Sequence, residues 1–315
     1  MSADSESTDE VCANCGIAAL DNVKLKKCAC NLAQYCSVGC QKNHRPKHKK
    51  ACKKRIAEIR ENNLFEQPDE THRGECLICF LPLPIDETKF VVSQCCSKTI
   101  CRGCQYATLM SDLKGKLEAK CAFCRTPQLQ SQEEFDKDEI KRAEANDPVA
   151  LRHQGGKRQL KGDYEGAVNY FTKAAEMGDM TAHCGLAKMY FEGDGVERDM
   201  KKAVHHWEEA AIGGHPRARY MLGCIVGANG NKEKAAKHFI IAAKQGHDEA
   251  LKFVKKNFLD GAVSKEDYAS ALRGHQAAVD ATKSAQREEA YVFNRIVEAM
   301  ERQPEIAHQI CHLFS

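Results

Sequence analysis

From Ile140 to about residue 282, small, aromatic and polar residues alternate with a helical period, and the pattern repeats along the chain. Ala167, Ala203 and Ala235 each open one copy: an aromatic four residues later (Phe171, Trp207, Phe239), an Ala-Ala pair beginning seven later (Ala174, Ala210, Ala242) and a glycine eleven later (Gly178, Gly214, Gly246). Upstream stand Ala150, Ala182 and Ala218, with four extra residues in the second copy around Gly-Asp-Gly-Val at 193–196. Positions i, i+4 and i+7 share one face of an α-helix. Alanines on that face let neighbouring helices approach, the aromatic fills the space they leave, and a left-handed glycine ends the helix. Each copy therefore predicts a helix, a turn and a second helix of roughly a dozen residues. A fainter fourth copy (Ala250, Ala271, Ala277-Ala278) lacks the closing glycine, as expected of a terminal unit whose outer face meets water. No single unit buries a core by itself, so the pattern predicts an all-α solenoid stabilised by stacking. In the tail, 283–315, the spacing of Val292, Ile296, Val297 and Met300 predicts one more helix.

The chain has 315 residues, enough for about two domains, or more if some are small. A hydrophobic fraction of 43% argues against wholesale disorder; 29% charged residues, a mean hydropathy of −0.54 and the lack of a long apolar run argue against a membrane protein. The net charge of +3 is too balanced for attraction of the whole protein to nucleic acid or a membrane surface. The first ten residues are polar and acidic, unlike a secretory signal, so a reducing compartment, cytoplasmic or nuclear, is expected.

The 18 cysteines change the picture of the first 127 residues. Most are paired closely within 12–52 and 76–124, while Cys184, Cys224 and Cys311 are scattered, the first two at positions that read as small core residues. In a reducing compartment such pairs read as zinc ligands rather than disulfides. The first cluster, Cys12, Cys15, Cys28, Cys30, Cys36, Cys40, His48 and Cys52, supplies the ligands of two closed tetrahedral sites. His48 and Cys52, at i and i+4, share a helix face, which favours His48 over the alternative, His44. The basic run from Lys42 to Arg55 has no interleaved aromatics to stack bases and reads as a solvated helix face beside the thiolates. With QYCSVGCQKNHRPKHKKAC at 34–52, this layout resembles the MYND-type zinc finger. The resemblance implies interleaved sites, Cys12, Cys15, Cys36 and Cys40 on one zinc and Cys28, Cys30, His48 and Cys52 on the other. The chain departs from the family at Cys28-x-Cys30, one residue shorter than usual, and at Arg45, where the family commonly has Trp.

The second cluster, Cys76, Cys79, Cys95, Cys96, Cys101, Cys104, Cys121 and Cys124, again forms four pairs, enough for two more closed sites. Its order resembles the RING finger in its all-cysteine form. The resemblance implies a cross-brace, Cys76, Cys79, Cys101 and Cys104 on one zinc and Cys95, Cys96, Cys121 and Cys124 on the other, with an antiparallel hairpin and a short helix after Cys104. It also implies that Ile78 anchors a ubiquitin-conjugating enzyme and that Arg125, before Pro127, contacts both ubiquitin and that enzyme. The adjacent Cys95-Cys96 and Ala122, where the family often has Pro, depart from its pattern. The helical copies, best developed at AHCGLAKMYFEGDGVERDMKKAVHHWEEAAIGGH (182–215), resemble the Sel-one-like repeat, a relative of the tetratricopeptide repeat. That resemblance implies an interaction scaffold with a concave groove.

The expected architecture is multidomain, with two small cross-brace zinc modules (α+β) followed by an all-α helical-repeat solenoid. Its parts are a MYND-like finger (12–52), a basic helix and linker (53–75), a RING-like finger (76–127), an acidic linker (128–147), repeats (148–282) and a helical tail (283–315). Four zinc ions are the expected cofactors and proteins the expected partners, including a conjugating enzyme and a substrate protein; neither nucleic acid nor a membrane is expected. Two functions follow: a RING-type ubiquitin ligase, which has no covalent catalytic residue of its own, or a non-enzymatic zinc-dependent interaction scaffold. Closed sites leave no position for substrate, which excludes zinc hydrolysis, and the repeats leave no room for a methyltransferase domain. Metal binding in such modules is folding free energy, about 10–16 kcal/mol per structural zinc. Strong chelation is therefore expected to unfold residues 12–124 and spare the solenoid. Circular dichroism should show most helix retained, and a proportionate loss of solenoid helix would contradict this division.

Overall fold

The computed structural model describes residues 11–15, 17, 24–115, 117–127 and 131–302; the acidic start and Cys311 lie outside them. The chain divides into two compact units between Glu66 and Gln67.

The first unit has a two-stranded antiparallel sheet, β1 (Lys26–Lys27) with β2 (Gln34–Tyr35), and one helix, α1 (Val38–Phe65). Ser37 caps α1 by accepting the Cys40 N–H, which fixes the helix start beside the ligand-bearing turns. Among the described residues its core is Cys12, Cys28, Cys30, Ala33 and Tyr35, and α1 buries no residue. The basic run is therefore a solvated face, continued as helix to Phe65.

The second unit opens with a small cysteine-rich module. Its hairpin pairs β3 (Phe90–Val92) with β4 (Thr99–Cys101), Phe90 opposite Cys101, and leads into α2 (Arg102–Lys114). The Cys101 side chain caps α2 by accepting the Cys104 N–H, so this helix begins two residues before Cys104 and not after it. Residues 132–144, expected as part of an acidic linker, are instead α3 (Gln132–Glu144), with a Ser131/Glu134 capping box. Glu139, 2% exposed, explains the difference: His153 Nδ1 and Gln154 Nε2 lie 3.0 and 2.9 Å from its carboxylate, and Lys157 pairs with it. The acidic stretch is a packed first helix of the array.

The repeats are helix pairs: α4 (Pro148–Leu160) with α5 (Tyr164–Glu176), α6 (Met180–Glu192) with α7 (Met200–Ile212), α8 (Pro216–Ala228) with α9 (Lys232–Lys244), and α10 (Asp248–Leu259) with α11 (Lys265–Ala281). The periodic residues Ala167, Phe171 and Ala174 and their counterparts through Ala242 are buried. A Cβ on Gly223 would come within 2.6 Å of the Phe239 ring, so this glycine admits the aromatic. Gly178, Gly214 and Gly246 take φ of +84°, +79° and +93°, and the residue after each (Asp179, His215, His247) caps the next helix.

These turns form the seat of the cysteine-rich module. The His72 N–H donates to the Gly214 carbonyl at 3.1 Å, and the His72 ring stacks on His215 with centroids 4.0 Å apart. A Cβ on Gly214 would lie 2.7 Å from the Glu70 carbonyl oxygen, and Ile85 approaches Gly246. Residues 67–75, expected as linker, are thus a docked strap. The C-terminal helix α12 (Ala285–Arg302) lies along α2, with Tyr106 against Phe293.

Both ring nitrogens of His72 are buried without a hydrogen-bond partner. Burial, reinforced by Arg73 and Arg152, lowers the His72 pKa to about 3; burial, with His72, Arg73 and Arg217 nearby, holds His215 well below its usual range. The folded state thus binds fewer protons than the unfolded one below pH ~6.5, so this contribution is complete above that pH and declines as pH falls toward 3, by up to about 1.4 kcal/mol per unit for each ring. Amide exchange at residue 72 should accelerate between pH 7 and 5.5 beyond the intrinsic chemistry, and His72→Phe should reduce that excess. Equal acid sensitivity in both proteins would contradict the assignment.

Candidate metal centres

Four clusters share one backbone device. The N–H of a leading residue donates to the carbonyl five positions on: Cys12 to Ile17, Cys28 to Ala33, Cys76 to Leu81 and Cys121 to Thr126, each at 2.8–2.9 Å. In the last two knuckles the residue after the second cysteine, Phe80 or Arg125, takes a left-handed conformation, with φ of +55° and +62°. At the shorter Cys28-x-Cys30 knuckle the left-handed residue moves one place earlier as well, to Asn31 at +58°, so the spacing is accommodated by the turn. Cys95-Cys96 occupies the β3–β4 turn, where Ser93 N–H donates to the Lys98 carbonyl and Ser97 is left-handed.

These turns bring the sixteen expected ligands into four quartets: Cys12, Cys15, Cys36, Cys40; Cys28, Cys30, His48, Cys52; Cys76, Cys79, Cys101, Cys104; and Cys95, Cys96, Cys121, Cys124. Within each, the ligand atoms lie within 4.8 Å of one another. Zn–S bonds of about 2.3 Å in a tetrahedron give edges of about 3.8 Å. The separations match that scale: Cys15–Cys36 3.5 Å, Cys36–Cys40 3.6 Å, Cys28–Cys52 3.4 Å, Cys79–Cys101 3.8 Å and Cys95–Cys124 3.3 Å. All exceed a disulfide bond of about 2.05 Å. His48 Nε2 lies 3.0 Å from Cys30 Sγ, whereas His44 Nδ1 meets the Tyr35 hydroxyl at 3.0 Å, so His44 has a different partner. The donor sets, three of four sulfurs and one of three sulfurs and a nitrogen, fit closed structural zinc.

Hydrogen bonding already sorts the thiols. The Cys101 thiol and, against burial, the N–H groups of Cys101, Cys79 and Ile78 bring Cys76 down to about 4. Cys101, hydrogen-bonded to Cys76 and buried, is pushed far up. The Cys36 N–H leads the lowering of Cys12 to about 6, and the Cys15 hydrogen bond leads the rise of Cys36 to about 12. In these two quartets a thiol of lowered pKa stands beside thiols of raised pKa, whose protons a divalent cation displaces.

Ile78 and Arg125 lie on the two knuckles of the second module. Ile78 is 37% exposed. Arg125 Nη2 lies 3.3 Å from Oδ1 of Asp112, a buried carboxylate near the end of α2, whose Oδ2 accepts the Lys120 N–H. Asp112 ties helix to knuckle and carries no signal in the sequence, since it lies on α2 within a helical run. Cys184 is buried enough for its thiol to rise to about 11, and burial also raises Cys224, consistent with both remaining neutral.

Residues 12–52 match the MYND finger model, and residues 149–179, 181–215 and 216–247 match the Sel1 repeat. Chitin synthase regulatory factor 4 of Schizosaccharomyces pombe is 36% identical over 83 residues, 26% of this chain and 13% of that protein. An uncharacterized protein of Neisseria meningitidis serogroup B is 34% identical over 111 residues, 34% of this chain and 23% of its own. The chain spans less than a quarter of either relative's length. Among solved structures, a protective antigen of uropathogenic Escherichia coli strains displaying an SLR fold aligns at 28% identity and a TM-score of 0.39, over 47% of this chain and 33% of that one. A Sel1 repeat protein from Oxalobacter formigenes aligns at 28% identity and a TM-score of 0.41, over 56% and 72%. By the family matches, the chain carries a MYND zinc finger at residues 12–52 and three Sel1 repeats between residues 149 and 247.

Proposed function

We propose that the chain is a zinc-organised scaffold for protein partners, and that its second zinc module works as a RING-type ubiquitin ligase does, by holding a ubiquitin-charged conjugating enzyme in a reactive geometry. The observation that carries the ligase reading is the apolar surface of the paired knuckles: Leu77, Ile78 and Phe80 are exposed on one, Phe80 at 69%, and Phe123 on the other. Exposed apolar side chains concentrated on a rigid, metal-pinned loop mark a docking face. Arg125 is half exposed and held at one end by Asp112, leaving guanidinium donors free to span two partners. Such a module accelerates transfer by positioning and supplies no nucleophile. Between the repeats and the cysteine-rich module, a groove of about 620 Å³ lined in part by Glu87, Gln94, Phe191, Trp207, Arg217 and Met221 is the natural seat for a substrate segment. Part of this reading is a reducing compartment, the cytoplasm or the nucleus, in keeping with sites built from thiols.

A second reading is a scaffold without ligase activity. The Arg125–Asp112 ion pair favours it, because an internal role then accounts for the arginine, and so does the name of the fission yeast relative, a regulatory factor. The experiment that separates the two is discharge of ubiquitin from a charged conjugating enzyme to free lysine. Ligase function predicts stimulation by the wild type, a loss of roughly tenfold, about 1.4 kcal/mol, in Ile78→Ala, and a similar or larger loss in Arg125→Ala with zinc content unchanged. No stimulation across a broad panel of conjugating enzymes would leave the scaffold alone.

A further inference from the structure

We infer that Arg287 is an outer-sphere member of the metal site formed by Cys76, Cys79, Cys101 and Cys104, so that metal retention there and docking of the C-terminal helix α12 are one linked equilibrium. Arg287 stands in the first turn of α12 and is buried. Its Nη2 donates to Cys79 Sγ at 3.4 Å and to the Leu81 carbonyl at 3.1 Å; its Nη1 donates to the Pro82 carbonyl at 2.7 Å and to the Thr282 carbonyl at 2.8 Å. One guanidinium thus grips the first knuckle from a position 208 residues beyond Cys79.

The approach is built into the module. A Cβ on Gly103, between ligands Cys101 and Cys104, would lie 2.9 Å from Arg287 Cγ and 3.1 Å from its Cα, so the glycine makes room for the helix. Farther along, Ala290 is buried and Phe293 meets Tyr106 with centroids 5.1 Å apart.

The need is mutual. Four thiolates around a divalent cation carry a net double negative charge, and with Cys76, Cys101 and Cys104 buried that charge calls for compensation. Arg287 supplies a cation and a charge-assisted N–H···S bond. Conversely, without the thiolate charge Arg287 is a buried cation facing carbonyls alone, which weakens the docked state. By linkage, whatever loosens α12 loosens the metal, and the reverse. The inference rests on the fit of the thiol quartet to zinc and is independent of ligase function.

The test is release of zinc from the fully loaded chain to a chromogenic chelator, with hydrogen exchange of α12 as a second readout. Arg287→Ala should release one zinc equivalent about 10- to 100-fold faster, leaving the others at wild-type rates, and Arg287→Lys should fall between. Phe293→Ala, which touches no ligand, should accelerate the same equivalent by undocking the helix. Cys76→Ser should raise exchange across 285–302 while α4 to α9 remain protected. Unchanged release in both Arg287→Ala and Phe293→Ala, equal acceleration of every zinc, or an α12 still protected in Cys76→Ser would each overturn the inference.

Discussion

The thiol quartets are the constraint on which the zinc-finger portion of this chain depends. The first unit has almost no other interior: three of the five side chains in its described core are proposed ligands, and its helix buries nothing. Modules of this size bury too little apolar surface to fold alone, and metal supplies what the core lacks. The backbone shapes the knuckles through the recurrent N–H to carbonyl closure across five residues, with a left-handed residue directly after Cys30, Cys79 and Cys124. Those closures point several N–H groups at sulfur, and they contribute to the lowered pKa values of Cys12 and Cys76.

The Sel1 array rests on different physics, alanine-mediated close approach with aromatics in the gaps, and has no use for metal. The two meet because the closing glycines of the repeats do a second job. Gly214 ends its helix in a left-handed turn and, lacking a side chain, also admits the strap at Glu70 to His72. The second cysteine-rich module is therefore carried by the array, with α12 lying along α2. The docking face proposed on its knuckles would then be presented from a fixed base, which is the mechanical requirement of an adaptor that holds two partners at a set geometry.

Much of this was legible in the sequence because it is local. The repeat shows in the spacing of Ala167, Phe171 and Ala174, and the candidate ligands show because zinc chelation needs cysteines close together on a turn. The choice of His48 over His44 follows from its i, i+4 relation to Cys52, and His48 is the one that lies beside Cys30. What could not be read depends on partners far away in sequence. Residues 132–144 look like a polar linker until Glu139 meets His153, Gln154 and Lys157. His72 is one histidine in a Pro- and Asp-containing stretch until it stacks on His215. Asp112 and Arg287 lie in ordinary helical runs, and only the fold brings them to the knuckles.

The central claim is that both cysteine-rich modules, the family-matched finger and the one that follows it, are closed zinc sites. Mass spectrometry of the intact, natively folded chain counts the metal directly. Four zinc ions per chain are expected, one for each quartet. A count of two, confined to residues 12–52, would contradict it by leaving the second module without the ions proposed to hold it.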